Sequence, residues 1–371
     1  MKVMVMVNEP LLDGNEKKYL NECIDTGWVS SEGPFVKKFE SQMAHYVGRK
    51  YATACSSGTA ALDIAVSALD LQKNDEVIMP SFTIISCAQA LTKLSIKPVL
   101  VDSEYDTFNM KVEDIESKIT SKTKAIMIVH IFGLTVDVDP IINLAKKYNL
   151  KVIEDAAQAI GQTYKGNQCG SFGDISIFSF YPNKHITTGE GGMVLCDDDL
   201  LDKRSKSLRN LCFGEQRFIH DEIGFNYRMT NMQAALGVAQ LERINQIVEK
   251  KRWIGETYNS LLQDLDMINL PIKATSYCEN IYWVYAITLK DDYSKTSREV
   301  MQELGECNIG TRPFFYPMHQ QPVFNRAGLF LQDRLPNSEK LYKMGFYIPS
   351  GLALTQDQAV EVSEALHEVL S

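Results

Sequence analysis

The chain has 371 residues, of which 45% are hydrophobic and 23% are charged, and this length is enough for about two domains of a globular protein. Its 47 acidic residues outnumber its 38 lysines and arginines and give a net charge of -9. The composition excludes a globally basic nucleic-acid-binding protein and leaves only a local basic patch possible. We therefore expect no nucleic-acid partner.

The chain begins with a short apolar run at residues 1–7, which lacks the length and the cleavage site of a signal peptide. No apolar run approaches the length of a membrane span, so we expect a cytoplasmic protein without a membrane partner. Eight cysteines occur singly, without the paired spacing of metal ligands. We expect most of them to be buried, reduced thiols, and we expect no metal site.

The first predicted site element is a short run of small hydroxylated residues that leads into a helix at 58–69, where apolar residues recur at helical spacing. The free N–H groups and the positive dipole end of a helix N-terminus favour phosphate binding. Ser57, Gly58 and Thr59 are therefore candidate phosphate ligands. An ordinary Ser/Thr N-cap is the alternative, and the residues alone do not exclude it.

Apolar, strand-like runs alternate with helical patterns up to about residue 200. The predicted strands are 76–80, 98–102, 125–132, 151–155, 175–180 and 193–196. Strands separated by helices predict an α/β fold with a largely parallel central sheet covered by helices. Ligands of such sheets bind beyond the carboxyl ends of the strands.

Asp155 ends one of these strands, and Gln158 follows three residues later. An aspartate in this position either caps the next helix, which is common, or presents its carboxylate to a ligand. Glu154 points to the opposite face by strand alternation and fits a structural role better.

Lys184 lies between an apolar strand and a turn that contains Gly189, Gly191 and Gly192. A solvated surface lysine is the alternative, but Lys184 and Asp155 both lie at or just past strand ends. Pyridoxal 5'-phosphate (PLP) requires this pair: a lysine amine bonds to its aldehyde, and a carboxylate keeps its ring nitrogen protonated. The pair predicts a PLP enzyme with Lys184 and Asp155 as catalytic residues, and partial burial should lower the pKa of the lysine.

Two more polar side chains belong to the predicted cofactor site. Ser179 precedes Lys184 by five residues and is a further candidate phosphate ligand, and Gln158 can bond the ring oxygen of PLP. An NAD-dependent enzyme is excluded because no Gly-x-Gly-x-x-Gly motif follows the first strand.

A second region begins near residue 232 with a long helical pattern. Residues 281–289 are rich in aromatic and β-branched side chains and predict a strand, and residues 356–370 predict a closing amphipathic helix. We therefore expect a large cofactor-binding domain at 1–235 and a smaller C-terminal α+β domain at 236–371.

Over nearly its whole length the chain resembles the DegT/DnrJ/EryC1/StrS family of sugar aminotransferases, which are fold-type I PLP enzymes. The motifs that carry the resemblance are 27–33 (GWVSSEG), 56–59 (SSGT), 80–83 (PSFT), 154–158 (EDAAQ), 173–192, 224–231 (GFNYRMTN) and 311–319 (TRPFFYPMH).

The resemblance implies transfer of an amino group from L-glutamate to a keto sugar nucleotide. Within the family, the pattern implies C4 of GDP-4-keto-6-deoxy-D-mannose as the acceptor, which gives GDP-perosamine for O-antigen or lipopolysaccharide biosynthesis. The same chemistry on a UDP- or dTDP-linked sugar, or at C3, is an alternative. A catalytically silent sugar-nucleotide-binding or regulatory protein is another, which the presence of Lys184, Asp155 and Gln158 disfavours.

The resemblance also implies roles for single residues. It assigns the covalent bond with PLP to Lys184, the ring nitrogen to Asp155 and the ring oxygen to Gln158. It assigns the phosphate to Ser57, Gly58, Thr59 and Ser179, with Asn226 reaching across from the second subunit of a homodimer with shared sites. Weaker candidates for substrate contact are Trp28, Ser30, Arg228, Arg312, Tyr316 and His319. For His319 a packed core histidine is the alternative.

One position departs from the family pattern. Ile84 stands where many relatives have an aromatic residue that stacks on the cofactor ring. An aliphatic side chain can still cover the ring, so cofactor binding should survive while the tuning of the ring differs. A sister branch of dehydratases has histidine in place of Lys184, so the lysine favours transamination.

Overall fold

The computed structural model describes residues 3–216, 218–220 and 222–371. Met1 and Lys2, the first residues of the apolar start and of the predicted large domain, lie outside the described residues.

Strands and helices alternate through most of the described chain. The strands are β1 (Tyr51–Cys55), β2 (Glu76–Pro80), β3 (Lys97–Val101), β4 (Thr123–Val129), β5 (Lys151–Asp155), β6 (Thr163–Tyr164), β7 (Asn167–Gln168), β8 (Ile175–Ser179), β9 (Gly192–Cys196), β10 (Ile268–Asn269), β11 (Tyr285–Leu289), β12 (Arg312–Pro313) and β13 (Gly345–Ile348). The helices are α1 (Glu16–Asp25), α2 (Pro34–Val47), α3 (Gly58–Ala68), α4 (Ser86–Lys93), α5 (Val138–Tyr148), α6 (Asp199–Arg209), α7 (Asn231–Leu241), α8 (Ile244–Leu261), α9 (Ser297–Glu306), α10 (Pro322–Arg326), α11 (Pro336–Met344) and α12 (Gln356–Leu370).

The central sheet has seven strands in the order β1-β9-β8-β5-β4-β2-β3. Neighbours from β8 to β3 pair in parallel, and β9 runs antiparallel to both β1 and β8. Helices pack on both faces of the sheet over two apolar clusters. The predicted α/β fold with a largely parallel, helix-covered sheet is confirmed.

The sequence prediction missed β1 and placed the end of β4 too late. Two of the five residues of β1 are alanines, which are depleted in strands, and its pairing with β9 comes from the tertiary structure. The predicted strand 125–132 ends at Val129, because residues 131–133 form a 3-10 turn in which Phe132 has φ +56°.

The register of three strands brings the candidate residues to one edge of the sheet. Asp155 and Ser179 are the last residues of the parallel neighbours β5 and β8, and Lys184 follows five residues after the second of them. Gly192 of β9 pairs with both Ser179 and Cys55, so β1 also ends at this edge, where α3 begins.

The second region has its own antiparallel sheet, with strand order β10-β11-β13-β12. The predicted strand 281–289 is shorter and begins at Tyr285, and the long helical pattern from residue 232 is divided into α7 and α8. Val5 pairs with Ile309 and is buried in the apolar cluster of this region. The division at 235/236 stays a prediction.

The described part of the chain contains no helix with both the length and the apolar character that crossing a bilayer requires.

Candidate active site

A cavity of about 370 Å³ lies at the carboxyl ends of β5 and β8. The first part of the chain supplies most of its lining, and the second region supplies three aromatic side chains. The lining residues are Ser57, Gly58, Thr59, Leu62, Ile84, Ser86, Asp155, Ala157, Gln158, Ile177, Ser179, Tyr181, Asn183, Lys184, Glu190, Trp283, Phe315 and Tyr347. Every cofactor ligand predicted from the sequence is among them except Asn226.

Lys184 is partly buried in this cavity, and its Nζ lies 4.0 Å from the centroid of the Trp283 ring. Burial lowers the pKa of Lys184 to about 8, because removal from water disfavours the charged amine. The charge of the Asp155 carboxylate acts in the opposite direction. A large fraction of the amine is therefore neutral near pH 8 and can act as a nucleophile or accept a proton.

Asp155 is 2% exposed, and both of its oxygens accept hydrogen bonds. The Ala157 N–H donates to Oδ1 at 3.0 Å, and the Cys87 thiol donates to Oδ2 at 3.2 Å. Burial raises the pKa of Asp155, while these two bonds and the nearby Lys184 charge lower it. Burial also raises the pKa of Cys87 well above its ordinary value, so the thiol stays protonated and remains a donor.

The N-terminus of α3 faces the same cavity. Ser57 is its N-cap, and the Ser57 Oγ accepts a hydrogen bond from the Ala60 N–H at 3.1 Å. The chain approaches itself closely at Gly58, where a Cβ would lie 2.7 Å from the Cβ of Ser179. The Thr59 hydroxyl is 2.9 Å from that of Ser86. Ser57 thus acts as the ordinary N-cap, and the first turn still presents backbone N–H groups and hydroxyls to the cavity.

Gln158 and Ile84 line the cavity from other sides. The Gln158 Oε1 accepts a hydrogen bond from the Phe132 N–H at 2.8 Å, which leaves the NH2 group of this amide as a donor. Ile84 is 41% exposed and presents an aliphatic face.

The chemistry of these donors fits PLP. The phosphate requires donors at a site of close backbone approach, and the N-terminus of α3 with Gly58 provides them. The ring nitrogen requires a buried carboxylate, which Asp155 provides, and the aldehyde requires an amine with a lowered pKa, which Lys184 provides.

Four predicted ligands lie outside this cavity, and two of them line a separate groove of about 920 Å³. Ser30 and Arg228 line the groove, and Arg228 donates to the Asn210 Oδ1 at 2.6 Å. Asn226 is exposed and pairs with Asn210 in an isolated β-bridge. Trp28 is also exposed, and its carbonyl accepts a hydrogen bond from the Asn231 side chain.

The remaining substrate candidates do not line the cofactor cavity either. His319 is 4% exposed, with Nδ1 2.9 Å from the Ser81 Oγ and Nε2 3.0 Å from a Glu339 carboxylate oxygen. Both ring nitrogens are thus engaged inside the chain, which favours the packed core histidine. Tyr316 packs edge-to-face on Tyr342, and Arg312 is exposed.

Glu154 lies on the opposite face of β5, as strand alternation predicts. It is fully buried beside His130 and Cys169, and the ligand atoms of these three residues lie within 4.8 Å of one another. The carboxylate contacts the His130 ring at 2.9 Å and accepts hydrogen bonds from the Gly170 and Phe172 N–H groups. These bonds occupy its oxygens, so we assign the cluster a structural role.

Sequence reasoning missed several lining residues, among them Trp283, Phe315, Tyr347 and Ser86, and it missed Cys87, which donates to Asp155. Ser86 and Cys87 lie three and four residues after the 80–83 motif, so this motif indicates that part of the site. Trp283 lies about 100 residues after Lys184, and nothing in its local pattern indicates a site.

The chain matches known proteins over almost its full length. Residues 10–367 match the DegT/DnrJ/EryC1/StrS aminotransferase family. The chain is 40% identical over 364 residues to GDP-perosamine synthase from Vibrio cholerae, with 98% of each protein covered. It is 41% identical over 368 residues to GDP-perosamine synthase from Caulobacter vibrioides, which covers 99% of this chain and 98% of that protein.

A solved structure has the same fold. Helicobacter pylori PseC, an aminotransferase involved in the biosynthesis of pseudoaminic acid, superposes with a TM-score of 0.94 at 24% identity, and the match covers 99% of both chains.

Proposed function

Because the chain belongs to the DegT/DnrJ/EryC1/StrS aminotransferase family, whose members are PLP-dependent, we propose that it transfers an amino group from L-glutamate to C4 of GDP-4-keto-6-deoxy-D-mannose. The product is GDP-perosamine, and the second product is 2-oxoglutarate. The observation that carries the chemistry is the position of Lys184 and Asp155 in one cavity beside the start of α3. The choice of sugar rests on the named relatives, which are at least 40% identical over nearly all of this chain.

Different residues of the cavity would bind different parts of the cofactor. PLP, when bound, supplies an electrophilic carbon for the amino group and a ring that accepts electrons. Asp155 would hold the proton of the ring nitrogen, and the NH2 group of Gln158 would bond the ring oxygen. The phosphate would bind at Ser57, Gly58, Thr59 and Ser179.

Lys184 is the proposed acid and base. In its neutral form the Nζ takes a proton from the α-carbon of L-glutamate, and in the second half of the reaction it returns a proton to C4 of the sugar. The buried Asp155 carboxylate favours these steps by stabilising positive charge on the ring side of the cavity. A pKa of about 8 leaves both protonation states of Lys184 available at neutral pH.

We also propose a homodimer with shared active sites. Asn226 is exposed and lies outside the cofactor cavity of its own chain, which fits a contact to the phosphate in a second subunit. The groove beside it, with Ser30 and Arg228, would then contact substrate at the partner's site, together with Trp28, Arg312 and Tyr316. Charged sugar nucleotides do not cross a bilayer unaided, so the proposed location is the cytoplasm.

Spectroscopy and product analysis test the reaction. The purified protein should be yellow, and L-glutamate should bleach this absorbance. Incubation with L-glutamate and a panel of GDP-, UDP- and dTDP-linked keto sugars, followed by mass spectrometry, should give an amino product from the GDP-linked 4-keto sugar. Turnover of only a UDP- or dTDP-linked sugar would overturn the proposed acceptor. A colourless protein that binds sugar nucleotides without turnover would indicate the silent relative instead.

Subunit mixing tests the shared site. Lys184→Ala and Asn226→Asp disable different contributions to one site, so dimers that contain one subunit of each variant keep one intact site. If both variants are inactive alone, random mixing should restore about one quarter of the wild-type activity. No recovery in verified mixed dimers would show that Asn226 serves its own chain.

A further inference from the structure

Trp283 lies beside the Lys184 side chain and is held in place through its indole N–H, its ring and its backbone. Its indole Nε1–H donates to the Asn183 carbonyl at 2.7 Å, one residue before Lys184. Its backbone N–H donates to the Phe132 carbonyl at 3.1 Å, and its ring stacks on that of Phe132. Its carbonyl accepts a hydrogen bond from the Lys251 Nζ at 2.9 Å. Trp283 is 4% exposed, and its indole cannot turn away without breaking the Nε1–H bond and the stacking on Phe132.

The face of this fixed ring is directed at the lysine amine. The Lys184 Nζ lies 4.0 Å from the ring centroid, within the range in which an ammonium is attracted by the negative face of an indole. Such a contact is stronger for a partly desolvated amine than for one on the surface, and Lys184 is partly buried. Trp283 therefore offers the amine a defined position that needs neither a carboxylate nor a hydrogen-bond acceptor.

Building on the proposed function, we propose that Trp283 is a positioning residue. Its indole face holds the Lys184 amine whenever that amine is not covalently bound to the cofactor. The lysine must be released and must carry a proton during each half of the reaction. Without this contact, the released Lys184 ammonium would sample many rotamers or pair with Asp155, whose carboxylate is needed at the ring nitrogen of the cofactor. The indole holds the amine at the wall of the cavity and leaves the Asp155 carboxylate free for the ring nitrogen of the cofactor.

Other charged and titratable groups also face Lys184 and Trp283. Asp155 and Cys87 act on the lysine from β5 and α4, and Tyr181, Glu190 and Tyr347 line the same cavity. Burial lowers the pKa of Lys251 to about 7, and its amine donates to the carbonyl of Trp283, so a test must separate Lys251 from Lys184.

The chain contains a matched control pair. Lys250 lies 3.5 Å from the ring centroid of Trp253, on α8 and outside the cofactor cavity. This pair is also a lysine–tryptophan cation–π contact but has no proposed role in the reaction, so Trp253→Phe should leave the activity unchanged.

Fluorescence of the cofactor-free full chain tests the contact directly. With Trp28→Phe and Trp253→Phe, Trp283 is the only tryptophan, and protonation of Lys184 should change its emission with a midpoint near pH 8. Lys184→Met should remove this transition, and Lys251→Met should leave it. A flat emission between pH 6 and 9.5, or a transition that survives in Lys184→Met, would overturn the proposal. Because no cofactor or sugar is present, this outcome is independent of whether the proposed reaction is correct.

Kinetics of the holoenzyme test the consequence. Trp283→Leu removes the aromatic face and should lower kcat about tenfold, with KM for L-glutamate changed less than about twofold. Trp283→Phe keeps an aromatic face and loses only the Nε1–H bond, so it should recover most of the kcat. If Phe is no better than Leu in a protein of normal thermal stability, or if KM changes as much as kcat, the role of the ring face is wrong.

Discussion

Lys184 and Lys251 are both shielded from water, but they differ in what surrounds them. Burial lowers the pKa of both, to about 8 for Lys184 and to about 7 for Lys251. Lys251 is 2% exposed and donates to the carbonyls of Trp283 and Ser350, at 2.9 and 2.5 Å. Lys184 is only partly buried, lines the cavity and is attracted by Asp155.

The comparison shows that a lowered pKa alone does not identify a catalytic lysine. Removal from water acts on any buried amine, whether or not a substrate can reach it. The surroundings of Lys184 add two features that the core around Lys251 lacks: an open cavity and a carboxylate that would serve the cofactor. Lys184 contacts the ring of Trp283, and Lys251 donates to its carbonyl. Lys251 therefore helps to hold the residue against which the Lys184 amine lies.

The largest effect is expected from Lys184→Ala. Loss of the amine removes both the nucleophile and the acid–base group, so kcat for transamination should fall about 10³- to 10⁴-fold. Steady-state kinetics with L-glutamate measure this, and thermal unfolding should be little changed. Lys250→Ala is the control, since that amine lies outside the cavity. Equal loss of activity in the two variants would show that the loss does not depend on removing an amine from the cavity.

Asp155→Asn should have the next largest effect. The amide can keep the bond from the Ala157 N–H but carries no charge to stabilise a protonated ring nitrogen. We expect kcat to fall about 10²- to 10³-fold. Glu154→Gln is the matched control on the other face of β5 and should lower thermal stability more than kcat. A Glu154→Gln variant that loses activity as strongly as Asp155→Asn would contradict this assignment of faces.

Lys251→Met tests the structural lysine through pH. The pKa of Lys251 is about 7 in the folded protein and 10.5 as its ordinary value, so the unfolded chain binds more protons between these values. Folding stability therefore rises with pH in that window, by about 2 kcal/mol from Lys251 between pH 7 and 8.5. The Lys251→Met variant should lack this increment in urea titrations at the two pH values. An unchanged pH dependence would show that the amine is not desolvated in solution.

Ile84→Tyr should have the smallest effect. An aromatic ring at this half-exposed position could stack on the cofactor, and such a contact is worth about 0.5–1.5 kcal/mol, or roughly a two- to tenfold tighter binding of PLP. Equilibrium dialysis of PLP measures it, with Ile24→Tyr as an exposed control on α1. Unaltered affinity would show that the Ile84 side chain already covers the ring of PLP as effectively as an aromatic side chain.

Much of the fold could be predicted because its signals are local. Strands such as β2 and β4 contain continuous apolar runs, and the alternation of such strands with amphipathic helices indicates a parallel sheet. β1 was missed since its alanine-rich sequence has little strand preference of its own and depends on pairing with β9. The break between α7 and α8 was missed because the apolar spacing continues across it.

For the site, the sequence by itself determined the chemical groups: Asp155 at a strand end, Lys184 just past another, and Ser57, Gly58 and Thr59 at the start of a helix. Strand ends and helix starts can be read from local patterns, and parallel neighbours place them at one edge. Only the tertiary structure decided which side chains complete the wall of the cavity. Trp283 contacts Lys184 but follows it by about 100 residues in the sequence, and no local sequence pattern predicts a contact over such a separation. The tertiary structure also separated Lys184 from Lys251, since the two amines differ in their surroundings and not in their residue type.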